Sequence, residues 1–352
     1  MKAVVIGPGR IGCGLVGQLL QASGYELVFV GRTQAMVDHL NRLGQYKVRL
    51  VDSASAQEVV VDRLRAIHNN DFNRVAQEIS ETDLVVTSVG AKNISDVAPL
   101  IAAGLGRRTT PVNVLTFENS GVDSGANLRS LVGRFLSDYS IELHGFAGVM
   151  IDRIVPHRVW DPFSDYPLLF IGDPSELFVV EGSSLCQPIP MVRGMQITQD
   201  FTACMLRKLC IFSIGHIATA YLGYLKGHHY IHEAIRDPEI RAMVLSVMSE
   251  GQSGLAERYG REVAGDAGDI QAIIGRFENA AIMDPVERVG RDPRRKANTL
   301  LEVARLVEQG GIRAKNLRLM LSIALHYSTV TLSSRAAAVR ESQAVPASVN
   351  LS

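Results

Sequence analysis

With 352 residues, the chain is long enough for about two domains with sizeable cores. At 47% hydrophobic and 20% charged it has the composition of a soluble globular protein, and its four cysteines (Cys13, Cys186, Cys204, Cys210) lack metal-ligand spacing. Its 36 Lys and Arg balance 36 Asp and Glu, so no global basic field favours nucleic acid or a membrane surface as partner.

The expectation is a cytoplasmic protein with reduced thiols. Met1 leads straight into an apolar strand, so no signal peptide is expected, and no run of 18 or more apolar residues suggests a membrane span.

Lys2 to Ile6 is a short apolar run that reads as a buried parallel strand. Gly7-Pro8-Gly9-Arg10-Ile11-Gly12 follows, with Gly14 just beyond, and opens a helical pattern through Leu20. Strand, G-x-G-x-x-G, helix is the arrangement that binds a dinucleotide. One glycine makes the tight turn, one lets backbone approach a pyrophosphate, and one lets helix pack on strand. The helix amino terminus offers free N–H groups to the phosphates. An ordinary glycine-rich turn is the alternative.

The second strand, Glu26 to Val30, ends in Gly31-Arg32-Thr33 where NAD-specific folds place an acidic residue. Glycine leaves room for a 2′-phosphate, arginine can pair with it and threonine can donate to it, so NADP(H) is expected in preference to NAD(H). A solvent-facing loop arginine is the alternative.

Lys47 to Val51 and Val59 to Val61 alternate like further strands, and Asp71 to Ser80 has helical period. The strand Asp83 to Gly90 ends in Ser88-Val89-Gly90, a helix follows over Ile94 to Gly104, and Val112 to Thr116 leads into Phe117-Glu118-Asn119. Alternating strands and helices imply a Rossmann-type, doubly wound, mostly parallel α/β sheet. Residues at the carboxyl ends of its strands line the ligand crevice, which places Ser88, Val89, Gly90, Glu118 and Asn119 there. An Asx turn is the alternative for Asn119. Gly145 to Pro156 is one more strand. The proline-rich segment near 157–193 reads as a β-rich, hairpin-like extension and linker.

From Phe201 the pattern is helical. The expected helices are Phe201 to Lys226, Tyr230 to Arg236, Pro238 to Arg258, Asp269 to Phe277, Ala297 to Gln309 and Asn316 to Tyr327. The segments 276–279 and 288–296 are expected in loops. At 100° per residue, Ser213 lies about 140° and His216 about 80° around the first of these helices from Lys208, so the three share one broad face. Lys208 and His216 are separated by on the order of 12 Å along the axis and can meet only around a third body. The alternative is a core helix with a snorkelling lysine and a satisfied histidine. The expected organisation is a dinucleotide domain over 1–195, a helical substrate domain over 196–334, and a flexible tail over 335–352.

Taken together, Gly7 to Gly14, Val86 to Gly90, Glu118-Asn119, Asp152 to Pro156, Lys208 to Gly227, Glu233 to Ile240 and Arg288 to Lys296 resemble the polyol-specific long-chain dehydrogenases, the mannitol dehydrogenase family, over about residues 1–330. The resemblance implies a nucleotide-binding domain, a largely helical domain and an active site between them. It also implies metal-independent oxidation of a secondary alcohol. Lys208 and His216 fall on the family's K-x4-N-x2-H motif, and Asn119 on its other oxygen-contacting asparagine; Ser213 stands where the family has asparagine. The implied general acid/base is Lys208, assisted by Asn119, Ser213 and His216, with no metal. The implied partner is a small polyol or sugar phosphate, and the implied state is a monomer or at most a weak homodimer. Arg288, Arg291 and Arg295 are candidates for a substrate phosphate or the cofactor phosphates across the domain interface, with inter-domain ion pairs to Asp284, Glu287 and Asp292 as the alternative. Other readings are a free-polyol 2-dehydrogenase, a reductase of another hydroxylated ketone, and a non-catalytic NADP(H)-binding sensor.

Overall fold

The computed structural model describes residues 1–118 and 121–327. It divides into two compact units, Met1–Leu206 and a second that begins at Arg207.

The first unit is built on twelve strands: β1 (Lys2–Ile6), β2 (Glu26–Gly31), β3 (Tyr46–Val51), β4 (Ala56–Val61), β5 (Leu64–His68), β6 (Leu84–Thr87), β7 (Asn113–Thr116), β8 (Gly145–Ile151), β9 (His157–Trp160), β10 (Leu168–Gly172), β11 (Phe178–Glu181) and β12 (Met195–Thr198). Its helices are α1 (Gln18–Ala22), α2 (Gln34–Leu43), α3 (Phe72–Ser80), α4 (Ile94–Leu105), α5 (Ser124–Gly133) and α6 (Asp138–Glu142). The main sheet has the order β12-β11-β8-β7-β6-β1-β2-β5. From β8 to β5 every pair is parallel. This is the doubly wound α/β sheet expected from the alternation of strands and helices.

Both faces of this sheet are covered, which is why its strands are continuously apolar. Val5, Phe29 and Val86 face one core cluster, and their neighbours Val4, Val28 and Val85 face the other. Side-chain alternation along a strand produces this division. The strand β5 was not among the sequence expectations. It is short, carries Arg65, and gains its place only by pairing with β2.

The segment 157–193 is not a linker. Strands β9 and β10 join β3 and β4 in a second sheet of order β4-β3-β10-β9. Strand β11 pairs antiparallel with β8, and β12 parallel with β11, so they extend the main sheet. The first unit accordingly runs past the expected boundary at 195. Phe201 packs on the main sheet, where a side chain at Gly148 would meet its ring at 2.9 Å.

The second sheet holds the glycine-rich loop in place. Tyr46 donates to the Cys13 carbonyl at 3.0 Å. A side chain at Gly14 would meet Val155 at 2.8 Å and Phe170 at 3.2 Å. Buried Arg153 donates to the Gly14 carbonyl, to Gln18 and to the Ser175 carbonyl at 3.0, 2.8 and 2.6 Å. Burial pulls its guanidinium down to about 10, against the favourable charges of Asp173 and Glu176.

The second unit is helical: α7 (Phe201–Arg207, entering from the first unit), α8 (Ile214–Leu225), α9 (Ile231–Arg236), α10 (Pro238–Tyr259), α11 (Arg261–Ala264), α12 (Ala267–Phe277), α13 (Val286–Gly290) and α14 (Pro293–Gln309), then a helix over 315–327. Arg276 and Phe277 belong to α12, Arg288 to α13, and Arg294 to Lys296 to the first turns of α14, not to loops. Pro293 opens α14 with the φ that a first helical position needs, so the helix starts earlier than the periodicity suggests. The Phe201–Leu225 stretch has the length and apolarity to cross a membrane, but over half of its most apolar window is buried, as in a core helix.

Candidate active site

The first unit contains a cleft of about 460 Å³ at the carboxyl ends of β1, β2 and β6. The chain runs from β1 outward to β2 and β5, then crosses back through α3 to β6 on the other side of β1, so this is the topological switch point of the sheet, where ligands of doubly wound folds bind. Of the residues expected there, Gly7, Gly9, Arg32, Thr33, Ser88 and Val89 line it.

The glycines divide the work. Gly7 has φ +107°, and a side chain on it would meet the Ser88 carbonyl at 2.6 Å. One on Gly12 would lie 2.0 Å from the Gly7 carbonyl. Around Gly9 there is nothing within 4 Å, so the loop is open to a pyrophosphate there and closed elsewhere. Asn69 also lines the cleft, and its buried Oδ1 has no hydrogen-bond partner among the described residues. An open phosphate approach and an orphaned acceptor both suit a dinucleotide. When bound, its nicotinamide supplies the hydride donor or acceptor.

The other expected cofactor residues shape the loop. Arg10 donates to the Pro156 carbonyl at 2.9 Å, Ile11 packs against the core, and Gly31 sits closely under Val37 and Pro8. Glu118 is buried and accepts from the N–H groups of Val89 and Gly90 at 2.8 and 2.7 Å. Burial pushes its carboxyl up while those two bonds hold it down. Asn119 lies outside the described residues.

In the second unit, Lys208–Ser213 is a π-helical turn joining α7 to α8. In an α-helix residues 208 and 213 would be about 140° apart, whereas i→i+5 bonding brings residues five apart to the same side. That places Lys208 and Ser213 in line. His216 follows on α8, buried, stacked on Phe277 at 4.9 Å between centroids, with Phe212 edge-on to both rings.

His216 Nε2 lies 3.1 Å from Asp284 Oδ2. Arg288 grips the same carboxylate with Nε and an Nη at 2.5 and 2.6 Å. Burial pushes Asp284 up, but the bonds from His216 and Arg288 more than reverse this and hold it ionised. Burial lowers His216, outweighing the pull of Asp284. The consistent assignment is a neutral imidazole donating Nε2–H to a carboxylate neutralised by Arg288.

Arg288 is thus taken by an ion pair with Asp284, but within one unit and not between domains. Arg295 approaches Asp292 at 3.9 Å, and both Arg291 and Arg295 are exposed. The sequence reading missed Lys296. It is half-buried, and burial, with the charges of Arg295, Arg288, Arg291 and Lys208, pulls its ammonium down to about 7. Nothing in the run of cations distinguishes it in the sequence; what sets it apart is burial beside the arginines.

Lys296 gives a pH test. Its folded pKa lies below the ordinary lysine value, so between about pH 7 and about 10.5 the unfolded chain holds more protons, and stability from this group rises with pH. Lys296→Met is expected to raise Tm by a few degrees at pH 6, with a gain that shrinks steadily toward pH 9.5. A gain independent of pH, followed by scanning calorimetry across that range, would remove the strained-charge interpretation.

Residues 1–187 match the mannitol dehydrogenase Rossmann domain, and residues 200–347 the mannitol dehydrogenase C-terminal domain. A mannitol-1-phosphate 5-dehydrogenase from Brevibacillus brevis is 34% identical over 338 residues, covering 93% of this chain and 86% of that protein. Among solved structures, Pseudomonas fluorescens mannitol 2-dehydrogenase in ternary complex with NAD and D-mannitol superimposes with TM-score 0.78 at 19% identity, covering 93% of this chain and 79% of that one. A substrate-free D-sorbitol dehydrogenase gives 0.75 at 17% identity, covering 92% and 79%. With the glycine-rich cleft in one unit and the lysine–histidine motif in the other, the chain belongs to the mannitol dehydrogenase family of NAD(P)-dependent polyol oxidoreductases, which act on a CH–OH group.

Proposed function

We propose that the chain interconverts a secondary alcohol of a polyol phosphate and the corresponding ketose phosphate, with NADP(H) preferred over NAD(H) and Lys208 as general acid/base. The observation that carries this is the composition of the cationic cluster. Around the motif lysine and histidine stand Arg291, Arg295 and a half-neutral Lys296, more positive charge than Asp284 and Asp292 balance. A free polyol gives such a cluster nothing to neutralise, whereas a phosphate dianion does. The 34% identical relative is a dehydrogenase of mannitol 1-phosphate.

In oxidation, Lys208 removes the hydroxyl proton as the hydride departs; in reduction it returns that proton to the new alkoxide. A lysine serves as base only where burial and neighbouring cations favour its neutral form. The repulsion that Lys208 exerts on Lys296 acts equally in return. His216, held by Asp284, orients a neighbouring hydroxyl. Ser213 donates from the same side of the π turn, with a shorter reach than the family's asparagine. Asn119 is proposed as a second donor to the reacting oxygen. For the cofactor, Arg32 and Thr33 follow β2 directly and line the cleft, where a carboxylate would repel a 2′-phosphate.

The test compares a ketose phosphate with its unphosphorylated ketose. The expected kcat/KM ratio favours the phosphate by at least about a hundredfold, two charge-assisted contacts being worth roughly 3 kcal/mol. The double variant Arg291→Ala/Arg295→Ala should erase most of that ratio through KM, with the unphosphorylated substrate unaffected. Equal use of both substrates by the parent protein would point to a free-polyol dehydrogenase instead.

A further inference from the structure

Part of the wall of the cleft that holds Arg32 does not come from the dinucleotide sheet. It comes from β9. Arg158 and Trp160 are two residues apart on that strand, so they project from one side of it, and both line the cleft. The pairing of β9 with β10 sets Arg158 opposite Phe170 and Trp160 opposite Leu168, which anchors the strand in the core. The indole of Trp160 lies against the imidazole of His39 on α2, centroids 4.1 Å apart and planes 20° from parallel. That stack ties the second sheet to the helix that begins directly after Arg32-Thr33.

We propose that Arg158 is a second reader of the adenosine 2′-phosphate, closing on it from the side opposite Arg32, with the Trp160–His39 stack as the floor that holds the arginine in place. The proposal rests on the NADP(H) preference proposed above and deepens it. Both arginines line one cleft. The cleft's own carboxylate, Asp96, sits on α4. Two guanidinium groups sharing a cavity repel each other unless an anion lies between them. A phosphate dianion satisfies both forks at once, and NAD, which carries a hydroxyl in that place, satisfies neither.

Trp160 is the chain's single tryptophan, so its emission reports directly on this wall. The experiment titrates the full chain with 2′,5′-ADP and with 5′-AMP, which differ only in the 2′-phosphate, following Trp160 fluorescence and measuring affinity by calorimetry. In the parent protein, 2′,5′-ADP should bind at least tenfold more tightly and change Trp160 emission. Arg158→Met should weaken 2′,5′-ADP by about tenfold to thirtyfold and leave 5′-AMP unchanged, while Arg158→Lys, which keeps charge without the fork, should recover only part of the loss. Arg158 is exposed, so the variants should keep the parent Tm. Equal weakening of both ligands, or no weakening of either while Arg32→Met abolishes discrimination, overturns the role of Arg158 and leaves the NADP(H) preference standing. Equal affinity of the parent protein for both ligands removes the NADP(H) preference itself. Saturation by calorimetry without any change in Trp160 emission removes the tryptophan from the wall.

Discussion

Lys208→Ala should lower kcat about a thousandfold in both directions, within the range that general acid–base catalysis supplies. Alanine suits a helix, so the turn should persist and Tm should move by only a degree or two. The KM for the ketose should change little, and 2′,5′-ADP should bind as before. Lys208→Arg separates chemistry from structure. It restores the length and the charge, but a guanidinium stays protonated at any working pH. It should remain as inactive as the alanine variant and lose the rise of oxidation rate with pH. Substantial activity in Lys208→Arg, with the parent pH profile, would assign Lys208 a merely structural part.

The second large effect is on stability and comes from a residue far from any motif. Gly251 lies on α10 against the π-helical turn. A β-carbon there would stand 1.9 Å from the Cys210 carbonyl oxygen and 2.6 Å from Ile214 Cδ1. The nearest obstacle is backbone, which cannot swing aside as a flexible side chain would. Gly251→Ala should therefore destabilise by roughly 3 kcal/mol or more, at the upper end of overpacking costs, and lower Tm by roughly 8 °C. Because the obstacle belongs to the turn that carries Lys208, kcat should fall in the surviving folded fraction while cofactor affinity holds. Gly275, on α12, has nothing within 4 Å, and Gly275→Ala is the matched control expected to keep kcat and to hold or slightly raise Tm. A Gly251→Ala protein with the parent Tm would mean that α10 and the turn are not packed in this way.

The two cases show what was legible in the sequence. Strand β1, its glycine loop and the helix after it follow from local signals, because each glycine answers a steric demand within a few residues. Helices α8, α9, α10, α12 and the body of α14 follow from apolar periodicity, whereas α11 and α13 are too short to show a repeat and were not expected. Strand β5 and the β9–β10 pair do not, because a short strand's identity is decided by partners that lie far away in the chain. Prolines around 157–193 read as punctuation, yet they flank strands that complete two sheets. The site was legible by residue type and misjudged in part by role. Glu118 has the right place for a ligand residue but spends both oxygens on the Val89 and Gly90 N–H groups. Arg288 has the right chemistry for phosphate but is held by Asp284. Lys296 was passed over as one cation in a run, since its peculiarity is burial, which no pattern of charges reveals. The role of Gly251 depends on the approach of another helix and left no trace in spacing at all.

The π-helical turn gives the helix through Lys208 a phase as well as a path. Each residue advances an α-helix by about 100°, so the number of residues in the turn fixes which way His216 looks once Lys208 is placed. Taking one residue out of Leu209 to Phe212 would leave an unbroken helix with ordinary hydrogen bonds and every motif residue intact. Because five steps of the π turn advance the chain about as far around the axis as four steps of an α-helix, His216 would keep nearly its present direction relative to Lys208, and only a second deletion would carry it about 100° away from Asp284. What this stretch encodes is a count with one residue to spare: a single deletion there should be tolerated, and a second should cost as much as losing a catalytic side chain.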